Sequence, residues 1–176
     1  MNRESILENK KILVVDDEKD ILDTLEELLY MSSVDTASTF DEAVSLLKNN
    51  TYDVAILDIM GVKGYDLLKI THKIDIPALM LTAHALTPDN LKISIEQGAD
   101  AYVPKDKLAD ITLYVADILN ARQQGKRAHV KWFSLLKPVF DKLFGESWRK
   151  KDRAFWDEFD EKQMSTRDDI QKMDHP

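Results

Sequence analysis

The run Lys11-Ile12-Leu13-Val14-Val15-Asp16-Asp17 sets how the rest of this 176-residue chain is read. Four apolar residues in succession, three of them β-branched, describe a strand covered on both faces rather than a half-solvated one. The strand stops abruptly at two carboxylates. Outward from it the pattern recurs. Ile21, Leu22, Leu25, Leu28 and Leu29 follow helical spacing, residues 34–37 form a weaker strand, and Phe40, Ala43, Val44 and Leu47 mark a second helix. Val54-Ala55-Ile56-Leu57 is a third strand, again ended by an acid, Asp58. Next come a short helix over 65–72, a strand over 77–81 closed by Thr82, and a helix over 88–97 that Gly98 terminates. A strand over 101–103 runs into Pro104-Lys105, and a last helix carries Leu108, Ile111, Val115, Ile118 and Leu119. Parallel strands need crossovers, so strict alternation predicts an α/β fold, a parallel sheet with helices on both faces. Five such units fall short of the eight that close a barrel, which leaves an open, doubly wound sheet.

Sheets of this kind bind ligands beyond the carboxyl ends of their strands. Here those ends carry Asp16, Asp17, Asp58, Thr82 and Lys105. Three crowded carboxylates repel and hold protons unless a cation relieves them. An oxygen-only donor set selects Mg2+ over zinc, and Mg2+ habitually shares its shell with phosphate oxygens. Lys105 and Thr82 supply the charge and the hydroxyl that a phosphoryl group requires. The chain has no cysteine, which excludes disulfides, thiolate catalysis and Cys-ligated metals.

Four segments in order, Lys11-Ile-Leu-Val-Val-Asp-Asp-Glu18, Val54-Ala-Ile-Leu-Asp58, Leu81-Thr-Ala83 and Gly98-Ala-Asp-Ala-Tyr-Val-Pro-Lys105, resemble the receiver domain of two-component response regulators. The resemblance covers residues 10–121 and implies a flavodoxin-like five-stranded sheet of order 2-1-3-4-5. It implies that Asp58 is the phosphoacceptor, served by a sensor histidine kinase or a phosphotransfer protein. It also implies Mg2+ held by Asp16, Asp17, Asp58 and the backbone carbonyl of Met60, with Asp17 a direct ligand. Thr82 would bond a phosphoryl oxygen, Lys105 would pair with it, and Tyr102 matches the aromatic that turns inward on activation. Ala83 is small, as the family prefers there, and His84 sits where the family varies its dephosphorylation rate. The chain departs from the family after the acceptor. Asp58-Ile-Met-Gly-Val-Lys-Gly-Tyr65 lacks the usual Pro four residues on and Gly eight residues on, so this loop is expected to be shorter and more permissive. The competing readings are a Mg2+-dependent phosphatase with an Asp nucleophile, or a degenerate receiver serving only as an interaction module. The first usually shows a second Asp where Met60 stands.

The formal charge of −8 hides a division: residues 1–121 carry −11 and residues 122–176 carry +3. All three tryptophans and five of the six phenylalanines lie in the second part, which marks a boundary between two regions. There Trp132, Leu135, Leu136, Val139, Phe140, Leu143 and Phe144 form a broad apolar helical stripe. Pro138 predicts a kink or restart, Gly145 a C-cap, and Trp148, Phe155, Trp156 and Phe159 a second, shorter helix. The expected organisation is a receiver over 10–121, a helical extension over 122–164 and a flexible tail over 165–176. The extension is expected either to pack on the receiver as extra core or to bind a downstream protein or a second copy of itself. Membrane-surface attachment is opposed by Asp157, Glu158, Asp160 and Glu161. An acidic first region, a short tail without a helix-turn-helix pattern and a net of only +3 argue against nucleic acid and against a DNA-binding output domain. No apolar run approaches the ~20 residues of a membrane span, and no secretory signal is visible, so a soluble, cytoplasmic signalling switch rather than a metabolic enzyme is expected.

Overall fold

The computed structural model describes residues 3–83, 86–125 and 129–173, with side chains over 5–83, 86–125 and 131–163. His84 lies outside the described residues. The chain divides into two compact units, Met1–Ala128 and His129–Pro176.

The first unit runs α1 (Arg3–Leu7), β1 (Lys11–Val15), α2 (Lys19–Leu28), β2 (Ser33–Ala37), α3 (Phe40–Asn49), β3 (Val54–Asp58), α4 (Gly64–Lys73), β4 (Ala78–Thr82), α5 (Pro88–Glu96), β5 (Ala101–Pro104) and α6 (Ile111–Gln123). A 3-10 turn over Lys105–Asp110 joins β5 to α6. All strand pairs are parallel, in the order β2-β1-β3-β4-β5. The expected flavodoxin-like doubly wound sheet is therefore present. Every residue of β3, β4 and β5 is buried, as are Ile12 to Val15 of β1, and this two-sided burial is what the unbroken apolar runs encode. β2, at the edge, is only half-buried.

Local chemistry starts the helices where the sequence places them. Thr39 caps α3 by accepting the Glu42 N–H at 3.2 Å, while the Glu42 carboxylate returns to the Ser38 N–H at 2.8 Å. Thr87 caps α5 by accepting from the Asn90 N–H at 3.1 Å, and Pro88 occupies the first turn. The helix α1 was not foreseen; its Ile6 and Leu7 are buried, and it packs against α6.

The second unit comprises α7 (His129–Phe144), a 3-10 turn over Lys150–Asp152 and α8 (Arg153–Met173). Two expectations are corrected here. The helix α7 passes through Pro138 without restarting. Pro138 and Ser134 both face solvent, so the carbonyl deprived of its usual donor is not stranded in an apolar core. The second helix is the longer one, 21 residues against 16, and its backbone is helical through residues 165–173.

The unit has its own aromatic core. Phe133 stacks on Trp156 at 5.8 Å and meets Phe159 edge-on at 4.9 Å, while Trp148 and Trp156 approach to 4.8 Å. The Arg149 guanidinium lies over Trp156 at 4.8 Å and forks onto the Asp160 carboxylate at 3.0 and 2.9 Å. The Trp148 indole donates to Asp141 at 2.8 Å.

Candidate functional site

The register of the sheet brings the strand ends together. Val15 pairs with Leu57, Asp58 with Leu81, and Thr82 with Pro104, so Asp16, Asp58, Thr82 and Lys105 all emerge along one edge. Asp16 is buried, its backbone N–H held by the Ala37 carbonyl at 3.1 Å. Its Oδ1 accepts the Glu18 N–H at 2.9 Å, which starts α2. Its Oδ2 lies 2.8 Å from Lys105 Nζ, yet this fully buried oxygen has no donor aligned to make a hydrogen bond.

Lys105 is the hub. Its side chain is buried, with Nζ 2.7 Å from Glu18 Oε1 and 3.5 Å from Asp58 Oδ2. Burial alone would lower its pKa, but the negative charge of Asp16 and the bonded Glu18 carboxylate outweigh that and hold the ammonium charged. Burial raises the pKa of Asp16, against the pull of Lys105. Asp58 is pushed from an ordinary 3.8 up to about 6, chiefly by burial and then by the charge on Asp16, with Lys105 opposing and Asp17 adding a smaller push. The site is short of positive charge.

Asp16, Asp17 and Glu18 each offer a carboxylate oxygen within 4.8 Å of the others. Glu18 is the residue that sequence reasoning passed over, although it directly follows the acid pair. Asp58 stands outside this trio and is joined to it through Lys105. A hard, divalent cation fits what is present: the donors are all oxygen, and Asp16 Oδ2 is a buried acceptor still lacking a hydrogen bond. Met60 lies two residues past Asp58 and is 55% exposed. Thr82 is buried at the end of β4. Tyr102 is completely buried on β5; burial raises its pKa, and the Thr87 backbone bonds to its hydroxyl.

The loop after Asp58 is short but not slack. Val62 is fully buried, and Gly64 N–H bonds the Ile59 carbonyl at 3.2 Å. Gly61 has φ +80, and a Cβ there would collide with the Asp17 carboxylate. A Cβ on Gly64 would overlap the main-chain carbonyl of Asp58. The two glycines permit close approach to the acids, which corrects the expectation of a permissive loop.

The family profile of the response regulator receiver domain matches residues 12–116. Among curated proteins, the transcriptional regulatory protein YvrH of Bacillus subtilis is 36% identical over 106 residues, 56% of this chain. The match takes in only 44% of YvrH's own length. A CheY-like response regulator receiver domain protein from Methanospirillum hungatei aligns with TM-score 0.62 and 29% identity, over 66% of this chain and 98% of its own. A response regulator receiver domain protein from Clostridium thermocellum aligns with TM-score 0.59 and 31% identity, over 65% and 98% respectively. No helix among the described residues is long and apolar enough to cross a membrane. With the sheet order, the acid-lined edge and the family match in agreement, the chain belongs to the response regulator receiver family of two-component signalling.

Proposed function

We propose that this chain is a phosphorylation switch in which Asp58 accepts a phosphoryl group from the phosphohistidine of a sensor kinase or a phosphotransfer protein. The observation that carries this reading is the environment of Asp58: a buried carboxylate raised to about 6, one lysine 3.5 Å away, and Asp16 and Glu18 beside that lysine with Asp17 clustered on them. Four carboxylates against one ammonium leave a formal deficit that a phosphoryl dianion would deepen. Mg2+ bound by Asp16, Asp17 and Asp58, with the Met60 carbonyl, would neutralise that deficit and the charge of the incoming group.

An ionised Asp58 oxygen attacks phosphorus in line; the new O–P bond forms as the P–N bond to the donor histidine breaks, and the imidazole retains a proton. Lys105, already charged and aimed at Asp58, holds a phosphoryl oxygen, and the Thr82 hydroxyl binds another. Tyr102, seated on β5, follows Thr82. The chemistry is a single self-modification with slow hydrolysis, not turnover of a metabolite. The reaction is cytoplasmic, and the signal passes by protein contact through the helices α7 and α8, to a downstream partner or a second copy of the chain.

The test is incubation with Mg2+ and acetyl phosphate or beryllofluoride, followed by intact mass and amide NMR. An Asp58-dependent adduct, abolished by EDTA and by Asp58→Asn, is expected. No response with Mg2+ present would leave only an interaction module, whereas sustained hydrolysis of phosphorylated metabolites would restore the phosphatase reading.

A further inference from the structure

The side chain of Tyr65 crosses from the first turn of α4 to α5, and the expected receiver chemistry leaves it without a task. Its hydroxyl is within 3.2 Å of both the main-chain carbonyl and Oδ1 of Asn90. Ser94 Oγ lies 3.4 Å from the same hydroxyl and bonds the Asn90 carbonyl at 2.8 Å. Ser94 is fully buried and Tyr65 half-buried, so these bonds form under cover. One residue back, Gly64 sits so close to the carbonyl of Asp58 that no Cβ fits between them. The backbone that carries Tyr65 is therefore seated directly on the peptide of the phosphoacceptor.

At its far end, Tyr65 meets the first turn of α5. The helix α5 has nine residues, and the Ser94 hydroxyl competes for a carbonyl that the helix itself uses. The same first turn receives Tyr102, whose hydroxyl bonds the Thr87 backbone, and the two phenols are near enough to influence each other electrostatically. The amino end of α5 is thus gripped by two tyrosines, one from β5 and one from the first turn of α4.

We propose that Tyr65 is a positioning residue that couples the state of Asp58 to the position of α5, by a mechanical route separate from Thr82 and Tyr102. This rests on the phosphoacceptor reading of Asp58. A shift of the Asp58 main chain on phosphorylation moves Gly64, because the contact leaves no slack, and the Tyr65 hydroxyl then shifts against Asn90 and Ser94. Hydrogen bonds at 3.2–3.4 Å are long enough to be exchanged at little cost.

The test uses the full chain as Tyr65→Phe, which keeps the ring and removes only the hydroxyl, and as Asn90→Ala, which removes the side-chain acceptor. Amide NMR shifts are recorded with Mg2+, before and after saturating beryllofluoride. In both variants the changes at Ile59, Met60 and Thr82 should match wild type, while those across residues 90–96 shrink by about twofold or more. Acetyl phosphate should load Asp58 at the wild-type rate in both. Unaltered α5 shifts in Tyr65→Phe would overturn the proposal. So would a loss of response at Ile59 and Thr82 as well, since that marks a general structural role. If Tyr65→Phe folds poorly, Asn90→Ala decides alone by the same criterion. Failure of wild type to respond anywhere would instead sink the reading of Asp58.

Discussion

Replacing Asp58 by asparagine should make the metal-free protein more stable, although it destroys the proposed reaction. Asp58 is 4% exposed, and its pKa stands at about 6 against an ordinary 3.8. This net shift already includes the attraction of Lys105, so the fold disfavours the ionised form by about 3 kcal/mol at ~1.4 kcal/mol per unit. The sign follows from proton counts. Between pH 3.8 and about 6 the folded state binds more protons than the unfolded chain at this site, so stability falls as pH rises and the full deficit is present above 6. Asparagine keeps the shape without the charge. In EDTA at pH 7.5, Asp58→Asn should exceed wild type by up to about 3 kcal/mol, and the gap should close towards pH 4. Mg2+ should narrow it at pH 7.5 by stabilising wild type more than the variant. Urea unfolding followed by far-UV circular dichroism or receiver amide signals is the suitable assay, because every tryptophan lies in the second unit and fluorescence would report that unit instead. A variant less stable than wild type in EDTA, or a gap that stays constant from pH 4 to 8, would refute the electrostatic account of the site.

Other expectations come from the same geometry. Lys105→Ala removes the only cation beside Asp16 and Asp58 among the described residues, and should cost roughly 3 kcal/mol in EDTA by urea unfolding, with Mg2+ recovering part of the loss. Gly64→Ala forces a methyl onto the Asp58 carbonyl; a destabilisation of about 2 kcal/mol and slowed loading of Asp58 are expected in unfolding and mass assays. Arg149→Ala removes the fork onto Asp160 and the cation over Trp156, and should weaken the second unit by about 2 kcal/mol, read by tryptophan fluorescence, while the receiver is unchanged.

The sheet and its acid-lined edge were legible because strand ends are sharp events in the sequence: an apolar run meets Asp16, Asp58 or Lys105 within one residue. What escaped reading depended on contacts between distant segments. Glu18 looks like the solvated start of a helix until Lys105, 87 residues away, is seen to reach it at 2.7 Å. Gly61 and Gly64 look like slack until the Asp17 carboxylate and the Asp58 carbonyl are found against them. Pro138 predicts a kink or restart from the sequence alone, while the solvent exposure of Ser134 and Pro138, which lets the helix run on, is a property of the folded unit. The end of α8, residues 165–173, has no apolar period in the sequence to announce it.

The polarity of the sheet explains why some buried acids are structural and others are available for chemistry. At the amino edge of a parallel sheet the strands present N–H groups, and acids there serve as acceptors. Asp100 takes the Ala78 N–H at 3.1 Å and Asp53 takes the Lys11 N–H at 2.8 Å, each closing the start of a strand. At the carboxyl edge the strands present carbonyls, which repel a carboxylate and offer it no proton. Asp16 finds one N–H only because α2 begins two residues later, and its second oxygen is left with the charge of Lys105 but no aligned hydrogen bond. Asp58, buried at the same edge, leans on that same lysine at 3.5 Å. Asp100 and Asp58 are equally buried at 4%, but Asp100 accepts a backbone N–H, whereas Asp58 is raised to about 6, chiefly by burial and then by the charge on Asp16. A carboxylate at this edge must be neutralised by a proton, a cation or a covalent bond. Under the proposed reading all three are exchanged at Asp58, and that is the property a phosphorylation switch requires.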